Sequence, residues 1–309
     1  MPAPLSLRHT AMKRILLFLL TNVAVLLVLS VVAHLIGLDT WLAVHGGSLS
    51  GLLVFAAFMG FGGSFISLAI SKWMAKRSMG VRVIGQSGDP TEQWLVSVVQ
   101  QHAQRVGVGM PEVGIFDSPE PNAFATGANR NAALVAVSTG LLERMNREEI
   151  TAVLGHEMTH VANGDMVTLT LIQGVLNTFV IFLARIIGGI VDSAMRSNDD
   201  ENRGTGMGYF VTVMVTQLLL SVLATIIVMW FSRWREFRAD RGGAQLAGTH
   251  GMIAALEALK RVHEPLPTQQ LAAFGIAGGD VGGGLRRLFL SHPPLDERIA
   301  ALRALGPTS

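Results

Sequence analysis

The chain contains no cysteine, so disulfides and thiolate metal ligands are excluded. Charge is scarce as well. Only 15% of the 309 residues are Asp, Glu, Lys or Arg, while 50% are hydrophobic and the mean hydropathy is +0.45. A soluble globular domain carries about 25% charged residues, so this chain is too apolar for that class. A formal net charge of +2 provides no electrostatic footprint for nucleic acid. Tyrosine occurs once, at Tyr209, which matters for the chemistry below. There are no internal repeats.

What is abundant is long apolar sequence. Ile15 to Leu38 carries one ionisable group, His34. Gly51 to Ile70 carries none, Met166 to Val191 carries only Arg185 near its far end, and Met207 to Ser232 carries none. Each has about the twenty residues a bilayer core requires, so four transmembrane helices are expected. A long side chain such as Arg185 can snorkel to the interface. Gly60, Gly62, Gly63 and Gly188-Gly189 allow close contact between spans. Arg8, Lys13 and Arg14 precede the first span, Lys72, Lys76, Arg77 and Arg82 follow the second, and Arg233, Arg235, Arg238 and Arg241 follow the fourth. The loop between spans one and two has no Lys or Arg, and Arg196 and Arg203 between spans three and four are offset by Asp192, Asp199, Asp200 and Glu201. The positive-inside rule then places both termini and residues 72–165 in the cytoplasm. The first apolar run is too long for a cleaved secretory signal and reads as an anchor.

Between the second and third spans lies His156-Glu157-Met158-Thr159-His160. Residues four apart on a helix share a face, so the two imidazoles can bind one metal ion. Glu157 is turned about 100° from His156 and about 60° from His160, beside the position where a water on the ion would sit. Zinc lowers the pKa of such a water to about 7, and a carboxylate can take its proton. The pattern requires a helix, and the flanks supply one. Asn146 and Glu149 have the spacing of a capping box, and Gly164 stands where a helix stop belongs. His160 lies six residues before the third span, and Glu236 lies just past the fourth, which returns to the same face. Both fall within about 10 Å of that face, so Glu236 is the expected third ligand. Asp240, one turn later, is placed to bind the outer nitrogen of a ligating histidine and fix its tautomer. A solvated juxtamembrane charge cluster is the competing reading of these two acids.

His-Glu-Met-Thr-His, a hydrophobic pair of spans, Arg-Glu-Phe-Arg-Ala-Asp at 235–240 and Ser-His-Pro-Pro-Leu-Asp-Glu-Arg-Ile at 291–299 occur in that order. This pattern resembles the HtpX group of membrane metallopeptidases in family M48, over nearly the whole chain. The resemblance implies a gluzincin: one Zn2+ per chain held by His156, His160 and Glu236, with Glu157 as general base and acid and Asp240 behind the ligands. It also implies a multi-pass bacterial inner-membrane endopeptidase with its active site in the cytoplasm, acting in stress response and quality control. Its partners would be the lipid bilayer and misfolded membrane proteins in extended conformation, with functional overlap with other membrane quality-control proteases.

Two further stretches bear on the site. Asn122-Ala123-Phe124 precedes the apolar run Ala132 to Val137 and resembles the Asn-Ala edge strand on which gluzincins hold substrate by β-augmentation. A turn leading into a buried strand accounts for it equally. An oxyanion needs a donor besides zinc. Tyr209 begins the fourth span on the opposite membrane face, which leaves His292, stiffened by Pro293 and Pro294. Similar motifs in relatives suggest Arg298 as an assistant. The alternative is that this stretch only introduces a helix from Leu295 to Leu305.

The expected architecture is thus a mainly α membrane protein with a cytoplasmic zincin-like α+β metalloprotease domain. Residues 1–71 form a two-span anchor, 72–165 the first catalytic region, 166–232 the second pair of spans and 233–309 the remaining catalytic region. Helices are expected at 91–105 and 251–262. His263 to Gly284, with two prolines and six glycines, suits a mobile loop over the cleft. His9, His34, His45, His102, His250 and His263 read as surface or packing residues. A prenyl-protein protease and a non-catalytic scaffold are the rival functions. The number of spans argues against the first and an intact Glu157 against the second.

Overall fold

A computed structural model describes residues 34–35, 37, 48–85, 88–195, 207–263 and 290–305. The expected first span, apart from His34, Leu35 and Gly37, lies outside the described residues, as do the 196–206 loop and nearly all of the proposed loop at 263–284. Three described helices are long and apolar enough to cross a bilayer: α1 (Leu49–Ser78), α5 (Asp165–Met195) and α6 (Met207–Ala247). The last differs from expectation. The fourth span and the ligand-bearing segment form one uninterrupted helix, because no proline or glycine interrupts the sequence between Tyr209 and Arg241.

By internal contacts the chain divides into two units. The first comprises Met1–Phe65 and Leu171–Ala224. Here Ala56, Phe182 and Ile186 form a small core with Leu52, Leu53 and Phe179. A methyl group on Gly60 would meet the Thr178 backbone nitrogen at 2.6 Å, and one on Gly174 would meet the Phe61 ring at 2.7 Å. Only glycine lets α1 and α5 approach so closely. Gly188 gives the same closeness to Val213 and Tyr209, while Gly62 and Gly63 face open space. Arg185 does not reach outward alone; its guanidinium lies 4.5 Å over the Phe55 ring. Along this part of α6, Leu218, Leu219 and Leu223 are exposed, the pattern of a lipid-facing surface rather than a soluble core.

The second unit comprises Ile66–Thr170 and Thr225–Ser309. Its sheet contains β1 (Arg82–Ile84), β2 (Glu112–Phe116), β3 (Ala123–Thr126) and β4 (Leu134–Ser138) in the order β1-β2-β4-β3. β4 is buried throughout, as its unbroken apolar run requires, and runs parallel to β2. β3 forms the sheet edge, antiparallel to β4, with Ala123 opposite Val137 and Thr126 opposite Leu134. Around the sheet pack α2 (Pro90–Val106), α3 (Thr139–Arg144), α4 (Arg147–Asn163), α7 (Thr249–His263) and α8 (Leu295–Ala304). Asp89 caps α2 by accepting from Thr91 N at 2.7 Å, and Gly107, with φ 69°, ends it. His102 is not on the surface of α2: it is buried, with Nε2 3.1 Å from the Thr151 carbonyl on α4. Leu95, Val99, Val135, Val137, Leu154, Met158 and Leu256 make the main core, so α4 is held between sheet and helices.

Candidate metal centre

The site begins with α4, whose two ends are set locally. The Asn146 side chain accepts from Glu149 N at 3.0 Å, and Asn146 N donates to Glu149 Oε2 at 2.9 Å. At the other end Gly164 adopts φ 65° and its N–H returns to the carbonyls of His160 and Val161. From Ala152 to Val161 every residue is buried except Glu157, which is partly exposed. His156 and His160 stand edge to face, with ring centroids 4.8 Å apart and their Nε2 atoms 3.2 Å apart.

α6 supplies Glu236 by an unusually close approach to α4. A Cβ on Gly243 would lie 3.1 Å from His156 N, one on Gly155 would lie 3.3 Å from Leu246 Cβ, and one on Gly242 would collide with Thr159. Glu236 is fully buried. Its Oε1 is 3.3 Å from His160 Nε2 and its Oε2 is 3.4 Å from His156 Nε2. One ligand atom from each of the three residues lies within 4.8 Å of the others. Neither carboxylate oxygen has a hydrogen bond of acceptable geometry among the described residues.

The outer nitrogens decide what this cluster can hold. His156 Nδ1 is 3.0 Å from Asp240 Oδ1, and His160 Nδ1 is 2.7 Å from Asp165 Oδ2. A carboxylate only accepts, so each Nδ1 carries the proton, and a neutral ring then presents a bare Nε2. Two bare nitrogens and a buried carboxylate facing one another need a cation between them. Two ligands about 2.0–2.1 Å from a tetrahedral ion stand about 3.3 Å apart, which matches the three separations. Without a cation the site takes up protons instead. Burial pushes His156 down, but the Asp240 and Glu236 carboxylates outweigh it and raise its pKa to about 9. Burial likewise opposes protonation of His160, and Asp165 and Glu236 outweigh it, with Glu157 adding to the rise. The residues therefore fit a divalent metal ion.

Asp165 was not among the residues singled out by sequence. A single acid at the head of an apolar run marks a span boundary, and only its position five residues past His160 hints at more. It is completely buried and also accepts from Arg238 Nη2 at 2.5 Å. Arg298, on α8, is buried and doubly bonded to Asp240, Nε to Oδ2 at 2.8 Å and Nη2 to Oδ1 at 2.6 Å. Two of its three guanidinium nitrogens thus support the partner of His156, and only Nη1 turns to Glu236 Oε2, at 3.6 Å. His292 is exposed, with Nδ1 2.9 Å from Glu236 Oε2. The structure thus brings His156, His160, Glu236, Asp240, Arg298 and His292 together. Asn122, Ala123 and Phe124 lie at the start of the edge strand, which packs against α4. Asn122 N donates to Ser138 Oγ at 2.9 Å, and Phe124 packs on Phe116 with ring centroids 5.6 Å apart.

The model of the family described as Peptidase family M48 matches residues 89–306. A Protease HtpX homolog of Thiobacillus denitrificans is 63% identical over 295 residues, covering 95% of this chain and all of that protein. Protease HtpX of Thioalkalivibrio sulfidiphilus is 60% identical over 298 residues, covering 95% of this chain and 99% of that one. Among solved structures, a crystal structure of Ste24p from S. mikatae superimposes with a TM-score of 0.59 at 18% identity, covering 93% of this chain and 67% of that one. That likeness is one of fold.

Proposed function

The chain belongs to peptidase family M48, among the HtpX proteases, and is a membrane metalloprotease; on that premise we propose that it is a zinc-dependent endopeptidase. Two imidazoles and one carboxylate suit Zn2+ better than the oxygen-only sets that suit magnesium or calcium. Bound zinc would acidify a water and polarise the scissile carbonyl. Glu157 would accept the proton of the attacking water and give it to the leaving amide nitrogen. His292, exposed beside Glu236, donates to the developing oxyanion, and Arg298 holds Asp240 and, through it, His156. The edge strand that begins beside Asn122 pairs with an extended substrate chain.

One observation carries this reading. Glu157 is the only residue between Ala152 and Val161 that is not buried, and it lies on the same helix as two bare imidazole nitrogens. A purely structural metal site has no use for an accessible carboxylate there. The substrates we propose are cytoplasmic loops and tails of misfolded membrane proteins, in quality control at the bacterial inner membrane. Lys72, Lys76 and Arg77 beyond the α1 span, and Arg233 to Arg241 beyond the α6 span, support that orientation.

The test is Glu157→Gln in the full chain, purified in detergent. Zinc content should remain one per chain while casein cleavage falls by about 10²-fold or more. Undiminished cleavage by the variant would overturn the mechanism. Metal analysis showing no zinc in the active wild type would overturn the metal.

A further inference from the structure

Each imidazole of the centre is backed by its own carboxylate, and each carboxylate by its own guanidinium. Behind His156 stand Asp240 and Arg298, and behind His160 stand Asp165 and Arg238. The first pair joins Asp240 of the Arg-Glu-Phe-Arg-Ala-Asp stretch to Arg298 of the Ser-His-Pro-Pro-Leu-Asp-Glu-Arg-Ile stretch. The second is built differently: Asp165 is the first residue of α5, just past the glycine that ends α4.

We infer that Asp165 is a positioning residue of the metal centre, holding the tautomer and rotation of His160, and that Arg238 in turn holds Asp165. Three observations carry this. Asp165 is completely buried, a position that a free carboxylate at the head of an apolar helix would not take up. Its Oδ2 is 2.7 Å from His160 Nδ1, the shorter of the two carboxylate contacts to the histidines. Its Oδ1 accepts from Arg238 Nη2 at 2.5 Å, so both oxygens are engaged and the carboxylate cannot turn away. Arg238 is itself fixed over the Trp234 ring, 5.0 Å from the centroid.

The two arms are not equivalent. Arg298 grips Asp240 through two bonds and is buried, whereas Arg238 makes one bond to Asp165 and its side chain is 39% exposed. The His160 arm is therefore the looser one, and Asp165 alone decides which nitrogen of His160 faces the metal. Partners in this position typically change metal affinity 10–100-fold. The inference rests on the metal reading above.

The experiment compares wild type, Asp165→Asn, Asp165→Ala and Arg238→Met as full chains in detergent. It measures zinc dissociation constants by competition with a chromophoric chelator, and visible spectra after cobalt replaces zinc. Both Asp165 variants should bind zinc about 10–100-fold more weakly and shift the cobalt bands. Arg238→Met should do the same to a smaller degree. Melting temperatures measured without metal should stay close to wild type for Asp165→Asn, which separates positioning from folding. Should Asp165→Ala fail to fold, Asp165→Asn and Arg238→Met decide the matter. Affinities within twofold of wild type and unshifted bands in those two would overturn the inference while leaving the metal site standing. A wild type that takes up no zinc or cobalt would overturn both.

Discussion

Gly243 lies against the backbone of His156 so closely that a side-chain carbon there would sit 3.1 Å from the His156 nitrogen. The metal ligands come from two helices, and this contact sets their separation. Gly243→Ala would also press on Met252 Sδ, at 2.8 Å. Overpacking of this kind costs about 1–3 kcal/mol. We expect a lower melting temperature and weaker zinc retention, read by thermal unfolding and metal analysis. Gly62→Ala is the control, since a methyl there meets nothing within 4 Å and should leave both unchanged.

Replacing Arg298 leaves Asp240 buried without its cation. Arg298→Met is expected to destabilise the fold by about 3–5 kcal/mol, the usual cost of breaking a buried pair. Arg298→Lys should rescue little, because one ammonium cannot span both Asp240 oxygens as the guanidinium does. Denaturant titration of the two variants measures the difference, and equal stability of wild type and Arg298→Met would contradict it.

Zinc uptake should release protons. In the metal-free site the His156 pKa is about 9, and that of His160 is raised as well. At pH 7 His156 is then mainly protonated, the rise at His160 acts in the same direction, and binding requires both neutral. Affinity should therefore rise as pH climbs from 7 towards 9 and level off above. Calorimetry in buffers of differing ionisation enthalpy would count the protons. A count of zero at pH 7 would contradict the prediction.

Asn146→Ala removes the cap of α4 without touching His156 or His160. A loss of about 1 kcal/mol is expected, with cleavage per zinc-loaded molecule unchanged. Thermal unfolding and a zinc-normalised casein assay test the two halves separately.

Much of this architecture is legible in sequence where the signals are local. The capping box from Asn146 to Glu149, the four-residue spacing of His156 and His160 and the stop at Gly164 each act within a few residues, and the structure has a helix between those caps. Glu236 can be found only by following the chain across two spans and back. Other features depend on contacts with no periodic trace. Gly242 and Gly243 read as breakers, yet they lie inside α6, where their smallness lets α4 approach. Asp165 reads as a span boundary until His160 is seen beside it. Arg298 reads as an assistant at the oxyanion, and nothing local reveals that two of its nitrogens bond Asp240. His102 lies on a helix of mixed polarity, and nothing local reveals that a carbonyl of another helix meets it.

The bond from Arg298 to Asp240 also bears on the order in which the site is assembled. His156 and the arginine that supports its carboxylate partner are 142 positions apart in the chain. A polypeptide still being synthesised, with residues up to α7 already emerged, would lack that support. The support behind His156 is therefore completed only when α8 packs, after the three candidate ligand residues have been made.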